Sequence, residues 1–260
     1  MDWPILLIGL LIGLFSGTMS GAFGIGASSI TIVLLRTLLG LPAGVAVATA
    51  LPLSIPSAIS GGATYCQSNM MKYKTAIACG GAGAVFSVLG AFATGYVPGE
   101  LIMFLVAGAM FVSAYLSLEE MRKDKRGERH AKQNDGEKLG YSLLVGAIAG
   151  FSSGFLGIGG GILLVPLLSR LRGLPYRMAV PCSLVVMLIY IIPGSIAHFG
   201  LGNVDVPLLL AMVIGAVIGA RFGAKAAMNF EADVKVWFVR IMVFFGVVLL
   251  SRELWMMFLS

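Results

Sequence analysis

A chain that carries Gly157-Ile158-Gly159-Gly160-Gly161 in the middle of a charge-free run, residues 139–169, has few structures open to it. The run is too apolar for a surface loop. Each glycine ordered there loses more backbone entropy than alanine, weakening a helix by about 1 kcal/mol. A weaker echo, Gly24-Ile25-Gly26-Ala27-Ser28, sits in a second charge-free run, residues 4–35. A helix broken or turned back at the glycines gives both clusters a use. Its freed N–H groups and positive dipole end then point into the protein near mid-membrane, where an anion can bind.

The echo keeps one register. Adding 133 to any position from 10 to 61 lands on its partner without a gap, and 20 of those 52 pairs are identical. Leucine matches carry little weight in so apolar a chain, so the rarer ones decide: Gly13/Gly146, Gly17/Gly150, Ser20-Gly21/Ser153-Gly154, Gly24-Ile25-Gly26/Gly157-Ile158-Gly159 and Gly40-Leu41-Pro42/Gly173-Leu174-Pro175. The sequence reads as an internal duplication, with repeat one at 4–118, a charged linker at 119–138 and repeat two at 139–258. Together these make a single transmembrane transport-type domain over 1–260.

Composition agrees: 58% hydrophobic residues, 12% charged and a mean hydropathy of +0.95 describe an integral membrane protein. Charge-free runs at 37–71, 75–99, 101–118, 139–169, 178–204 and 206–220 match or approach the ~20 residues of a spanning helix. They are continuous, whereas a β-barrel alternates, so the class is all-α, a polytopic helical bundle. Asp2 stands where a cleavable signal has basic residues, and the first apolar stretch belongs to the repeat, so it is expected to remain. The net charge of +6 lies mostly between spans, which points to lipid headgroups and orientation rather than nucleic acid. Cys66, Cys79 and Cys182 fall in apolar runs without metal-ligand spacing and read as small buried hydrophobes, so neither metal nor cofactor is expected.

In order, the chain gives a first element at 3–35 interrupted by Gly17, Gly21, Gly24 and Gly26, then a Pro-containing span at 43–69, a Gly/Ala-rich span at 75–96 and a fourth at 101–118. Seven Lys/Arg and six Asp/Glu then fill the linker, which reads as solvated and flexible. The second half repeats the order with spans at 178–199, 206–229 and 236–258, Asp205 capping the one that follows it. If each glycine element is a hairpin, Lys72/Lys74, the linker, Arg170/Arg172/Arg177 and Lys225/Lys235 share one side, and the loops at 97–100 and 200–204 hold no Lys or Arg. The positive-inside rule then predicts a cytoplasmic linker, both termini outside and repeats of inverted topology. Re-entrant and spanning hairpins have the same parity, leaving eight and ten segments both open.

With the duplication, the paired Gly-Ile-Gly elements, the Gly-Leu-Pro turns and the charged linker, the chain resembles the TauE/SafE family of permeases, named after sulfite export, over essentially its whole length. The most specific stretch is residues 154–161 followed by Val165-Pro166-Leu167-Leu168; the first copy has Ala27 and Ser28 at the places of Gly160 and Gly161, and Val33 at that of Pro166. The resemblance implies movement of small, often sulfur-containing anions such as sulfite, thiosulfate or organosulfonates across the cytoplasmic (inner) membrane. The residues by themselves support an anion or another small polar solute.

Candidate substrate-binding residues are Gly24, Gly26, Gly157, Gly159, Gly160 and Gly161, through backbone N–H groups, with close helix packing as their structural alternative. Ser28 and Ser29 add hydroxyls, unless these bond their own i−4 carbonyls. The same offset pairs Thr49 with Cys182, Ser57 with Tyr190 and Tyr65 with His198, so Thr49, Ser54, Ser57, Ser183 and Tyr190 are candidates on the second spans, against plain intramembrane hydrogen bonding. His198 is a candidate for proton coupling or an interfacial residue, and Arg221 a candidate for drawing anions to the inner mouth or a snorkelling cation. The expected function is secondary transport of a small anion by alternating access, with the lipid bilayer as partner and a homo-oligomer compatible. A passive channel or exchanger is the alternative. An intramembrane enzyme is the different-class rival, but one spanning histidine without a buried carboxylate supplies no catalytic constellation. No phosphate-loop motif for ATP occurs.

Overall fold

The computed structural model describes residues 3–66, 73–125, 139–229 and 234–259. These residues form ten α-helices and no strand: α1 (Trp3–Phe23), α2 (Ala27–Leu38), α3 (Ala43–Cys66), α4 (Tyr73–Thr94), α5 (Gly99–Lys125), α6 (Leu139–Leu156), α7 (Gly161–Arg172), α8 (Tyr176–Gly200), α9 (Val206–Asn229) and α10 (Val234–Leu259). Eight are long and apolar enough to cross a membrane. The others, α2 and α7, have 12 residues each. At 1.5 Å per residue that is about 18 Å, roughly half of a hydrocarbon core about 30 Å thick. The hairpins are therefore long arm plus short arm, and α2 and α7 are half-helices.

Two sequence expectations shift. Gly17 and Gly21 do not interrupt the first helix; the break falls at Gly24–Gly26 alone. Both lie inside α1, where a Cβ on Gly17 would strike Ala216 and one on Gly21 would strike Ala220 in α9. Residues Glu119–Lys125, expected in the linker, continue α5, and the Glu119 carboxylate accepts a hydrogen bond from Arg170. The rest of the linker, 126–138, lies outside the described residues.

Glycine spacing explains the closest helix pairs. Gly13, Gly17 and Gly21 rest on Met212, Ala216 and Ala220, while Gly215, Gly219 and Gly223 of α9 meet the backbone of α1 in return. In the other half Gly146, Gly150 and Gly154 of α6 rest on Cys79, Gly83 and Ser87 of α4. A small residue every fourth position lets the backbones touch, which drives association where lipid is as apolar as leucine.

The paired positions also fix direction. Both sets rise together, so α1 lies parallel to α9 and α6 parallel to α4. Thr49 meets Asp205 and Ser60 meets Val217, which puts α3 parallel to α9. By contrast Gly61 faces Leu184 and Gly194 faces Leu51, so α3 and α8 run antiparallel. Pro52 and Pro56 in α3 and Pro181 and Pro193 in α8 are carried within continuous helices. Asp205 accepts from the Leu208 N–H at 3.1 Å as the N-cap of α9.

Candidate functional site

Five glycines at the two turns, Gly24, Gly26, Gly157, Gly159 and Gly160, adopt φ between 65° and 75°. That region costs any residue with a Cβ about 1–2 kcal/mol, which accounts for glycine at each. The turns hand the chain to α2 and α7, whose N-caps are Gly26 and Gly160, neither with a side-chain cap. A buried helix start without a cap leaves N–H donors and about half a positive charge facing inward.

The two turns touch. A Cβ on Gly161 would sit 2.6 Å from the Gly24 carbonyl oxygen, and one on Gly159 would sit 2.6 Å from Ser28 Oγ and 3.1 Å from Ser54 Oγ. Ser29 Oγ donates across to the Ile158 carbonyl at 2.6 Å, with its own i−4 carbonyl, Ile25, at 3.1 Å. Ser28, Ser29, Ile25 and Ile158 are fully buried.

Helices α3 and α8 close the site from opposite sides, and repeat-related positions recur in the contacts. Gly24 lies against Val180 and Gly157 against Val47, a pair at the 133-residue offset. Gly26 lies between Ser54 and Met187, another such pair. Ser54 Oγ accepts from the Ser28 N–H and donates to Ser28 Oγ, both at 2.9 Å. Ser183 Oγ lies 2.9 Å from the Gly24 carbonyl and 2.7 Å from that of Val180, which share its one proton. Tyr190 donates to the Gly159 carbonyl at 2.9 Å. Ser57 stands one layer back, donating to the Ser54 carbonyl and 3.2 Å from Ser20 Oγ.

Gly24, Gly26, Ser28, Ser29, Gly157, Gly159, Gly160, Gly161, Ser183 and Tyr190 are thus brought together, with Ser57 behind them. Three candidates sit elsewhere. Thr49 Oγ1 accepts from the Asp205 N–H at 2.9 Å, at the start of α9. His198 Nε2 is 2.8 Å from the Gly154 carbonyl, just as Tyr65 donates to the Gly21 carbonyl at 3.1 Å; these are the same positions of the two repeats. Arg221 is exposed on α9 beside Lys225. Met187 is the site residue that sequence reasoning passed over, although the offset maps it onto Ser54.

Chemically, the site offers two helix starts, serine hydroxyls and one phenol, with no Asp or Glu among the residues that build it. Among the described residues no group of His, Cys, Asp and Glu is arranged to hold a metal ion. Cys79 and Cys182 are buried cysteines.

Residues 9–250 match the family model described as sulfite exporter TauE/SafE. The chain is 29% identical to the probable membrane transporter protein YdhB of Bacillus subtilis, over 79% of this chain and 83% of that one. A probable membrane transporter protein of Methanocaldococcus jannaschii is 28% identical, over 78% and 79% of the two chains. No solved structure matches.

Proposed function

The chain belongs to the sulfite exporter TauE/SafE family, and from that premise we propose that this membrane transporter carries a small oxyanion through the paired glycine turns by alternating access. Sulfite, thiosulfate and organosulfonates are the substrate class. The observation that carries the reading is the convergence at one point of two buried helix N-termini whose N-cap glycines supply no side chain, with Ser54 Oγ taking the Ser28 N–H of α2. Two like partial charges facing each other in a buried interior disfavour one another, and an anion between them relieves both.

The helix directions support inverted repeats: α1, α3 and α9 run one way and α4, α6 and α8 the other, so α1, α3 and α4 oppose their counterparts α6, α8 and α9. Such repeats exchange roles when access switches sides. Basic residues support the orientation. Arg170 reaches Glu119, Arg172 donates to Thr75 and Lys235 lies over the Tyr176 ring, gathering positive charge at one end of the bundle. That end is the cytoplasmic one by the positive-inside rule, with the linker on that side of the cell membrane and Arg36 and Glu253 at the other.

The test is counterflow in proteoliposomes. An inside load of unlabelled sulfite, thiosulfate or a sulfonate is expected to accelerate uptake of the labelled anion, because a carrier returns faster loaded than empty. Uptake that follows the membrane potential without such acceleration would identify a channel instead. No uptake of any oxyanion against empty liposomes would remove the substrate class.

A further inference from the structure

We propose that a notch between α3 and α9, at the basic end of the bundle, binds the phosphate headgroup of an anionic phospholipid. Two adjoining cavities share Arg221 and Lys225 as walls. One, of about 230 Å³, is completed by Ser60, Ala63 and Thr64. The other, of about 280 Å³, is completed by Val217, Ile218 and Phe222.

Four residues apart on one helix, Arg221 and Lys225 present their charges on the same face. Both are exposed, and neither has a carboxylate partner among the described residues. The hydroxyls beside them are already committed: Ser60 donates to the Val217 carbonyl at 2.7 Å and Thr64 to that of Ser60 at 3.0 Å. The free donors of the notch are therefore the two cations, spaced to share one phosphate.

The second cavity says which phosphate. Ile218 is 46% and Phe222 66% exposed, an apolar wall that a soluble anion leaves uncovered and an acyl chain covers. A lipid satisfies both halves at once: headgroup on Arg221 and Lys225, chain along Ile218 and Phe222. Basic pockets between helices on the cytoplasmic side suit such headgroups. This site is separate from the glycine turns and stands whether or not an oxyanion passes there.

The experiment titrates the delipidated full chain in detergent with phosphatidylglycerol, phosphatidylcholine or inorganic phosphate and reads the melting temperature. Phosphatidylglycerol is expected to raise it and phosphatidylcholine to leave it unchanged. Each cation near the surface contributes about fivefold in affinity, so Arg221→Gln with Lys225→Gln is expected to need roughly 25-fold more lipid. Lys74→Gln, a cation of the same end outside the notch, is expected to titrate like the parent. If the double variant gives no cooperative melt, Arg221→Gln alone decides, with an expected shift of about fivefold. Equal response to both lipids, an unshifted titration in the variants, or inorganic phosphate reproducing the effect at equal concentration each overturns the proposal, the last by making the notch a free-anion vestibule.

Discussion

Replacing Gly159 with alanine adds one methyl group at the point where the two halves meet. The residue has φ +67°, so the new side chain first incurs about 1–2 kcal/mol of left-handed strain. Its Cβ then lies 2.6 Å from Ser28 Oγ, closer than any real contact, and the hydroxyl must turn away from Ser54. That forfeits a buried hydrogen bond worth about 1 kcal/mol. The sum, roughly 2–3 kcal/mol, corresponds to a melting temperature lower by about 4–12 °C for a chain of this size. Thermal unfolding in detergent reads it, with Gly108→Ala as the contrast. Gly108 has helical φ and open space around its Cβ position, so the same chemical change there is expected to stabilise by about 0.5–1 kcal/mol. Ser28→Ala removes the atom that is struck. The double variant Gly159→Ala/Ser28→Ala should therefore recover about 1 kcal/mol relative to the sum of the singles. Additivity within about 0.5 kcal/mol would refute the claim that the turns meet through this contact.

Other outcomes follow from the packing. Arg36 reaches both oxygens of Glu253 at 2.9 Å; Glu253, 1% exposed, is a buried carboxylate that the sequence reading did not expect. Arg36 is 12% exposed and also donates to the Leu41 carbonyl, so Glu253→Gln removes the charge partner of a partly buried cation and is expected to cost about 3 kcal/mol in the same melt. A second ion pair, Arg170 with Glu119, is about a third exposed, and Glu119→Gln is expected to cost about 0–1 kcal/mol. Gly150→Ala places a Cβ inside the Gly83 backbone and is expected to lower the yield of folded protein sharply, whereas Gly81→Ala, with nothing nearby, leaves fluorescence-detected size-exclusion profiles unchanged. Tyr65→Phe leaves the Gly21 carbonyl unmatched and is expected to destabilise by about 1–3 kcal/mol while counterflow keeps its substrate order.

What the sequence made legible follows from what was repeated. A constant offset, glycine clusters and charge-free runs are one-dimensional signals, and they pointed to the helical class, the family and the turns at Gly24–Gly26 and Gly157–Gly161. The role of Gly13, Gly17 and Gly21 was not legible, because a glycine that breaks a helix and one that admits a neighbouring backbone look alike until the neighbour is known. Here the neighbour, α9, comes from the other half of the chain. The same limit applies to hydroxyls. Thr49 and Ser54 lie on one helix, yet Thr49 meets the start of α9 and Ser54 holds Ser28, a difference of facing that only packing reveals. His198 is the sharpest case: the sequence leaves proton coupling and an interfacial role both open, and packing adds that it contacts the Gly154 carbonyl where Tyr65 contacts that of Gly21 in the other repeat. Half-helix length was likewise hidden, since the apolar run continues past the break.

The central claim is one oxyanion held between two helix starts. Anion-dependent thermal stabilisation of the purified chain tests it most directly, with sulfite, thiosulfate, sulfate, sulfonates, carboxylates and chloride compared at matched ionic strength. An oxyanion at 100 times its dissociation constant adds about 2.7 kcal/mol, a rise of roughly 5–11 °C. Such a rise is expected for one member of the sulfur oxyanion class, with its loss in a folded Gly160→Ala variant, where the new Cβ would crowd Tyr190 at 2.5 Å. A parent protein indifferent to every anion, or a Gly160→Ala variant that responds as the parent does, would contradict the claim.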